Sequence, residues 1–197
     1  MAGVDFAKRN HIMRLMFVIA ALALLTAAPA RSADSEFTSS FKAPGVKIAS
    51  ITIAISDKVR DEKLRWGPRD IKLLKQDLRR RVTRRLQHNG LMDEHGARLE
   101  LTLDEIIPSR PTAYELARRE GLSLSSPGFG GAAIKAHLLA ANGADLGVMR
   151  FRFREGQAYG GGIFGAGTGP TPWYDARQAF EMFSRRLVKT LQNQPSS

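Results

Sequence analysis

Residues 68–106 read PRDIKLLKQDLRRRVTRRLQHNGLMDEHGARLELTLDEI, and within them the spacing of apolar residues changes from three and four to two. Ile71, Leu74, Leu78, Val82 and Leu86 recur at the period of an α-helix. Pro68 suits the first helical position, and Asp70 in the first turn is favoured by the helix dipole. Asn89-Gly90 supplies the stop, because Gly accepts the left-handed conformation that ends a helix. From Arg98 to Ile106 the pattern alternates. Leu99, Leu101 and Leu103 face one way, while Glu100, Thr102 and Asp104 face the other. That is the signature of a half-buried antiparallel strand.

Working outward, Val46 to Ile55 is β-branched and apolar, with Ile51, Ile53 and Ile55 on one face, and reads as the first strand. Asp57 to Trp66 reads as a charged loop. Pro108 and Pro111 end the alternating strand, and Thr112 to Glu120 reads as a short helix. Residues 121–131 form a Gly, Ser and Pro loop. Ala132 to Ala141 is the third strand, closed by the Asn142-Gly143 turn. Leu146 to Arg154 places Phe151 and Phe153 on one face and Arg150, Arg152 and Arg154 on the other. A Gly-rich loop over 156–170 leads to Thr171-Pro172 and a last helix carrying Ala176, Phe180, Phe183, Leu187 and Leu191. The order is β-α-β-β-β-α. It predicts an α+β two-layer sandwich, a largely antiparallel four-stranded sheet with two amphipathic helices on one face. Residues 46–192 are expected as one domain, 31–45 as a flexible leader and 193–197 as a tail.

The 197-residue chain has no Cys, which excludes disulfides, thiolate metal sites and a cysteine nucleophile. At 43% hydrophobic and 25% charged it is neither disordered nor a membrane bundle. Lys8, Arg9 and Arg14 precede an apolar run from Leu15 to Leu25, followed by Ala28-Pro29-Ala30. This is the pattern of a cleavable signal peptide over residues 1–30, with a second exit after Ala33. A spanning helix needs about 20 apolar residues, so no transmembrane span is expected in the mature chain. The address implied is a bacterial periplasm, where a Cys-free secreted domain is at home.

The formal net charge of +11 points to anionic partners. Lys72, Lys75, Arg79, Arg80 and Arg84 lie off the apolar stripe of the first helix, on a cationic face about 20 Å long. This face is the candidate for binding an anionic envelope surface by peripheral contact, or for docking another envelope protein. The secretory address and the lack of interleaved aromatics speak against nucleic acid. The arginine row at 150, 152 and 154 reads as one side of a cross-strand charge ladder with Glu100, Asp104, Lys135 and His137.

No catalytic set stands out. Gly160, Gly162 and Gly165 match the letters of a dinucleotide loop but lack the strand–turn–helix context that brings amides to a pyrophosphate. His88, His95 and His137 have no metal-ligand spacing, and no metal or cofactor is expected. Arg110, on a loop stiffened by Pro108 and Pro111, is expected to meet Trp173 and Asp175 at one edge of the sheet. The group is expected to act as a structural clamp, with a ligand pocket as the alternative.

Two stretches carry a family resemblance. One runs Arg110-Pro111-Thr112, Glu120-Gly121-Leu122-Ser123 and Gly130-Gly131-Ala132. The other runs Trp173-Tyr174-Asp175-Ala176 into Ala179-Phe180 and Phe183-Ser184-Arg185-Arg186-Leu187. Together they resemble an uncharacterised group of secreted or lipoprotein-like bacterial envelope proteins with a domain of unknown function. The resemblance covers about residues 98–191, implies an α+β core and an envelope address, and brings no reaction. The lipobox Cys frequent in such groups is absent here, so lipid anchoring is not implied. The expected function is a non-enzymatic periplasmic binding or accessory module. The alternatives are a small hydrolase with its site under the 121–131 and 156–170 loops, and a peptide-binding module using a sheet edge.

Overall fold

The computed structural model describes residues 34–42, 44–62, 66–123, 126, 128–155 and 171–193. All of them belong to the compact unit Ser32–Ser197. Among these residues there are five strands, β1 (Asp34–Ser39), β2 (Ile48–Ile55), β3 (Ala97–Ile107), β4 (Gly131–Leu139) and β5 (Asp145–Arg154). There are four helices, α1 (Asp57–Asp61), α2 (Pro68–His88), α3 (Ala113–Leu116) and α4 (Tyr174–Gln192). The α+β class is as the patterning predicts. The expected signal peptide and the 156–170 loop lie outside the described residues.

The strands form one mixed sheet in the order β1-β5-β4-β3-β2. This corrects the expected four-stranded, largely antiparallel sheet in two ways. First, residues 34–39, expected within a flexible leader, form β1 and pair antiparallel with β5. The segment is polar, but alternate Phe37 packs against the core under the Arg186 guanidinium, 5.0 Å from its ring centroid. A strand that brings one aromatic and a full hydrogen-bond ladder can be ordered without an apolar run. Second, β2 and β3 are parallel. The α1 and α2 connection carries the chain back along the sheet, so the next strand starts from the same end. The expected charged loop after β2 contains α1, capped by the Ser56 hydroxyl accepting from the Val59 N–H at 3.3 Å.

α2 and α4 cover one face of the sheet. Leu74, Leu78, Val82 and Leu86 of α2 and Phe180, Phe183, Leu187 and Leu191 of α4 are buried against Leu99, Leu101, Leu103, Ile134, Ala136, Leu138, Met149 and Phe151. Phe151 and Phe183 meet with centroids 6.2 Å apart. Each such side chain contributes roughly 1.5–3 kcal/mol on burial, and this layer holds the helices to the sheet. The other face carries Thr52, Glu100, Thr102, Lys135, His137, Arg150, Arg152 and Arg154, and no described helix covers it.

A shift in register between Leu103 and Glu105 interrupts the β3–β4 ladder. Beyond this bulge Ile106 takes the core-facing role of Leu103, and Glu105 is brought to the polar face beside Ala133 and Arg152.

Candidate functional site

The cationic residues of α2 separate into two groups. Pro68, Ile71, Lys72, Lys75, Gln76 and Arg79 line one groove, with a volume of about 350 Å³. Arg80, Arg81, Arg84, Arg85 and His88 line a second with Glu181 of α4, about 390 Å³. Lys72, Lys75 and Arg79 are therefore brought together, and Arg80 and Arg84 are brought together elsewhere. The cause is the helix period. The core row Leu74-Leu78-Val82-Leu86 steps by four residues and drifts about 40° per step, so the side opposite the core moves around the helix from one end to the other.

Two carboxylates organise the second group. The Asp77 side chain is 7% exposed and accepts from Arg80 and from Arg81 Nε at 3.1 Å, with Arg177 of α4 at 3.6 Å. Glu181 takes Arg85, Arg185 Nε at 3.0 Å and Arg81 at 3.5 Å. Burial pushes the Glu181 carboxyl up, but the hydrogen bonds and charges of Arg185 and Arg85 outweigh it and hold it below the usual range. Lys72, Lys75, Arg79 and Arg84 make no ion pair among the described residues. Arg79 and Arg84 are exposed, as are Lys72 and Arg80, while Lys75 is half-buried. Leu73, 47% exposed, stands among them.

The uncovered sheet face is a charge ladder. Glu100 lies opposite His137 and Thr102 opposite Lys135. His137 is 3.9 Å from Glu100 and 3.1 Å from Asp145. Glu105 is the hub. Its side chain, 7% exposed, takes Lys58 at 2.7 Å, Arg154 at 2.7 Å and Arg152 at 3.6 Å. Arg152 also reaches Glu36 of β1 at 3.4 Å. Burial raises the Glu105 pKa, but the bonds from Lys58 and Arg154 outweigh it and leave it lowered.

Arg110, Trp173 and Asp175 occupy the start of α4 and the loop after β3. The buried Asp175 carboxylate accepts from the Gly130 N–H at 3.1 Å, and its own N–H donates to the Ser109 hydroxyl at 3.2 Å. The Ser109 N–H donates to the Pro172 carbonyl at 2.7 Å. The Trp173 indole donates to Asp70 at 3.4 Å and packs edge-on to Trp66 at 6.2 Å. Arg110 is half-buried on the same loop, next to Ser109. These bonds tie β4, α4 and the β3–α3 loop together.

Asp77, Glu181 and Glu105 were not read from the sequence as organising groups. The signal for Asp77 was present, since Arg80 and Arg81 stand three and four residues on. Glu181 belongs to another helix, and Glu105 is placed by a bulge. The Gly160, Gly162 and Gly165 cluster lies outside the described residues, as does much of the ground for a hydrolase site. Among the described residues no group of three His, Asp or Glu is placed to hold a metal ion. No described helix is long and apolar enough to cross a membrane.

No protein-family model matches the chain. No curated protein matches it either. Among solved structures, the fold is similar to a dodecamer of PelC from Paraburkholderia phytofirmans in space group P6, with 13% identity over 82% of this chain and 99% of that one and a TM-score of 0.46. A single-substitution variant of that PelC dodecamer in space group C2 is similar at 13% identity, over 82% of this chain and 98% of the other, with a TM-score of 0.45.

Proposed function

We propose that the protein is a non-enzymatic module of the bacterial periplasm that docks on an anionic envelope surface through the cationic face of α2. One observation carries this reading. Lys72, Lys75, Arg79 and Arg84 have no ion-pair partner among the described residues, while the nearby Asp77 and Glu181 are fully engaged by other arginines. Uncompensated cations on one rigid helix produce a directed field, and each contributes about 1 kcal/mol of attraction at an anionic lipid surface. Leu73 and the aliphatic stems around Ile71 offer apolar contact between the charges.

The test is sedimentation of the purified chain with neutral and anionic vesicles across a salt series. Binding is expected to the anionic vesicles alone, falling steeply with salt. Arg79→Glu with Arg84→Glu should weaken it at least about tenfold, with an unchanged melting midpoint. No binding at low salt, or binding indifferent to the double reversal, overturns the reading.

Peptide capture by strand addition is a second reading, favoured by β2. From Ile48 to Ile55 this edge strand carries no charge and no Pro, and among the described residues only Ile48 has a bridge on the outer side, to Met92. A β-strand peptide that protects β2 amides from hydrogen exchange would support it.

A further inference from the structure

We infer that the arginine cradle between α2 and α4 is a site for a phosphomonoester group, built by Asp77 and Glu181 as internal anchors. The inference rests on the docking reading of α2 and names the ligand chemistry of one part of that face.

Six guanidinium groups, those of Arg80, Arg81, Arg84, Arg85, Arg177 and Arg185, gather around or beside two carboxylates. A structural ion-pair network needs no such excess. Charge left over after pairing lowers stability by self-repulsion unless something outside the chain compensates it. The pairing is also economical. Each guanidinium has five N–H donors. Arg80 and Arg85 each place one nitrogen on a carboxylate, and Arg81 places two. Arg84, between them in sequence and lining the same cavity, places none. The carboxylates thus fix the arginines without exhausting them. Asp77 is the stiffer anchor, since its side chain is almost wholly buried.

The cavity, about 390 Å³, holds a group larger than a bare ion. The lining selects for phosphate in its monoester form. Planar guanidinium forks match phosphate oxygens in pairs, which a lysine ammonium cannot do. A monoester carries a charge of about −1.5 to −2 at neutral pH and three free acceptor oxygens. A diester carries a single charge and fewer free oxygens, so the excess of arginines favours the monoester. Two lysines and Arg79 line the other groove of α2, and four arginines with His88 and Glu181 line this one. The two halves of the face are chemically distinct, one suited to diffuse attraction and one to a discrete group.

The experiment compares the full chain's binding to phosphatidylcholine vesicles containing phosphatidic acid or phosphatidylglycerol, matched in surface potential, and to soluble glycerol 3-phosphate or dimethyl phosphate. Arginine Nε–Hε resonances serve as the readout in the soluble arm. The expected result is preference for the monoester in at least one arm, reduced about tenfold by Arg84→Ala and restored only in part by Arg84→Lys. Arg84 has no ion pair to lose, so the fold is not at stake. Preference in the vesicle arm identifies a lipid headgroup as the source, and preference in the soluble arm alone identifies a free phosphate compound. Lys72→Ala with Lys75→Ala should weaken binding to both vesicles alike and leave the preference intact. Equal binding of monoester and diester in both arms overturns the cradle while the docking reading stands. Absence of any vesicle binding overturns docking, and the soluble arm then decides the cradle by itself.

Discussion

The indole Nε1–H of Trp173 donates to Oδ1 of Asp70 across 3.4 Å, joining residues that begin two different helices. The other oxygen of the same carboxylate accepts from the Gly67 N–H at 3.1 Å and closes the N-terminus of α2. One side chain therefore caps α2 and positions the start of α4. Trp66 and Trp173, the only two tryptophans in the chain, pack edge-on beside it.

Asp70→Ala removes the cap and the indole acceptor together. A stability loss of about 1–2 kcal/mol is expected, with a change in tryptophan emission. Asp70→Asn keeps one acceptor oxygen, for either the Gly67 N–H or the indole, and should lose less. An unchanged melting midpoint and an unchanged spectrum for the alanine variant would show that the contact is incidental.

Gly130 sits where no side chain fits. A Cβ at this position would lie 2.5 Å from Oδ2 of Asp175 and 2.6 Å from Oγ of Ser109. Gly130→Ala should therefore break the Asp175 bond to the Gly130 amide and destabilise the fold by about 1–3 kcal/mol or more. Asp175→Ala is expected to lower the melting midpoint as well, by leaving the buried Gly130 N–H without its acceptor. If both variants melt like the parent, the junction of β4 with α4 does not depend on this carboxylate.

Strand β1 can be tested by deletion. A chain beginning at Val46 lacks Phe37 and the antiparallel partner of β5, exposing the β5 edge and Phe151 beneath Arg186. Lower stability and concentration-dependent aggregation are expected. A truncated chain as stable as the full one and no more prone to aggregate would place residues 34–39 outside the cooperative fold.

Acid should loosen the molecule through two glutamates. The folded pKa values of Glu105 and Glu181 are both lowered, by bonds from Lys58 and Arg154 and from Arg185 and Arg85 that outweigh burial. A lowered carboxyl pKa means that the folded state holds fewer protons than the unfolded one. The stabilisation is thus present above the ordinary glutamate value of about 4.3 and is lost as pH falls through the folded values. Glu155 acts in the opposite sense, since burial and the neighbouring Asp175 raise its pKa. Melting curves from pH 7 to pH 3 should fall further for the parent than for a variant carrying Glu105→Gln and Glu181→Gln. Parallel curves would remove these pairs from the account of acid stability.

The α2 helix, the alternation of β3 and the arginine row of β5 were legible because each is a local periodicity, and the period alone separates helix from strand. The same holds for the polar face of the sheet, where Glu100 and His137 meet as their alternation implies. β1 was not legible. Its sequence DSEFTS has one large apolar residue, and its order comes from a ladder with β5 more than 100 residues away. The partners of Trp173 and Asp175 were also hidden. The Ser109 hydroxyl, the Gly130 amide and the Asp70 carboxylate are the groups that the fold brings to them, from three separate segments.

The sequence by itself determined which residues turn inward, where α2 begins and ends, and that the chain carries a surplus of cations on α2. Those properties depend on neighbours within a few residues. Only the tertiary structure decided that β2 and β3 run parallel, that a bulge turns Glu105 into the hub of the charged face, and that Asp77 and Glu181 divide the cations of α2 into paired and unpaired ones. Each of these depends on groups from distant segments arriving within a few ångströms of one another, and no local pattern records that arrival.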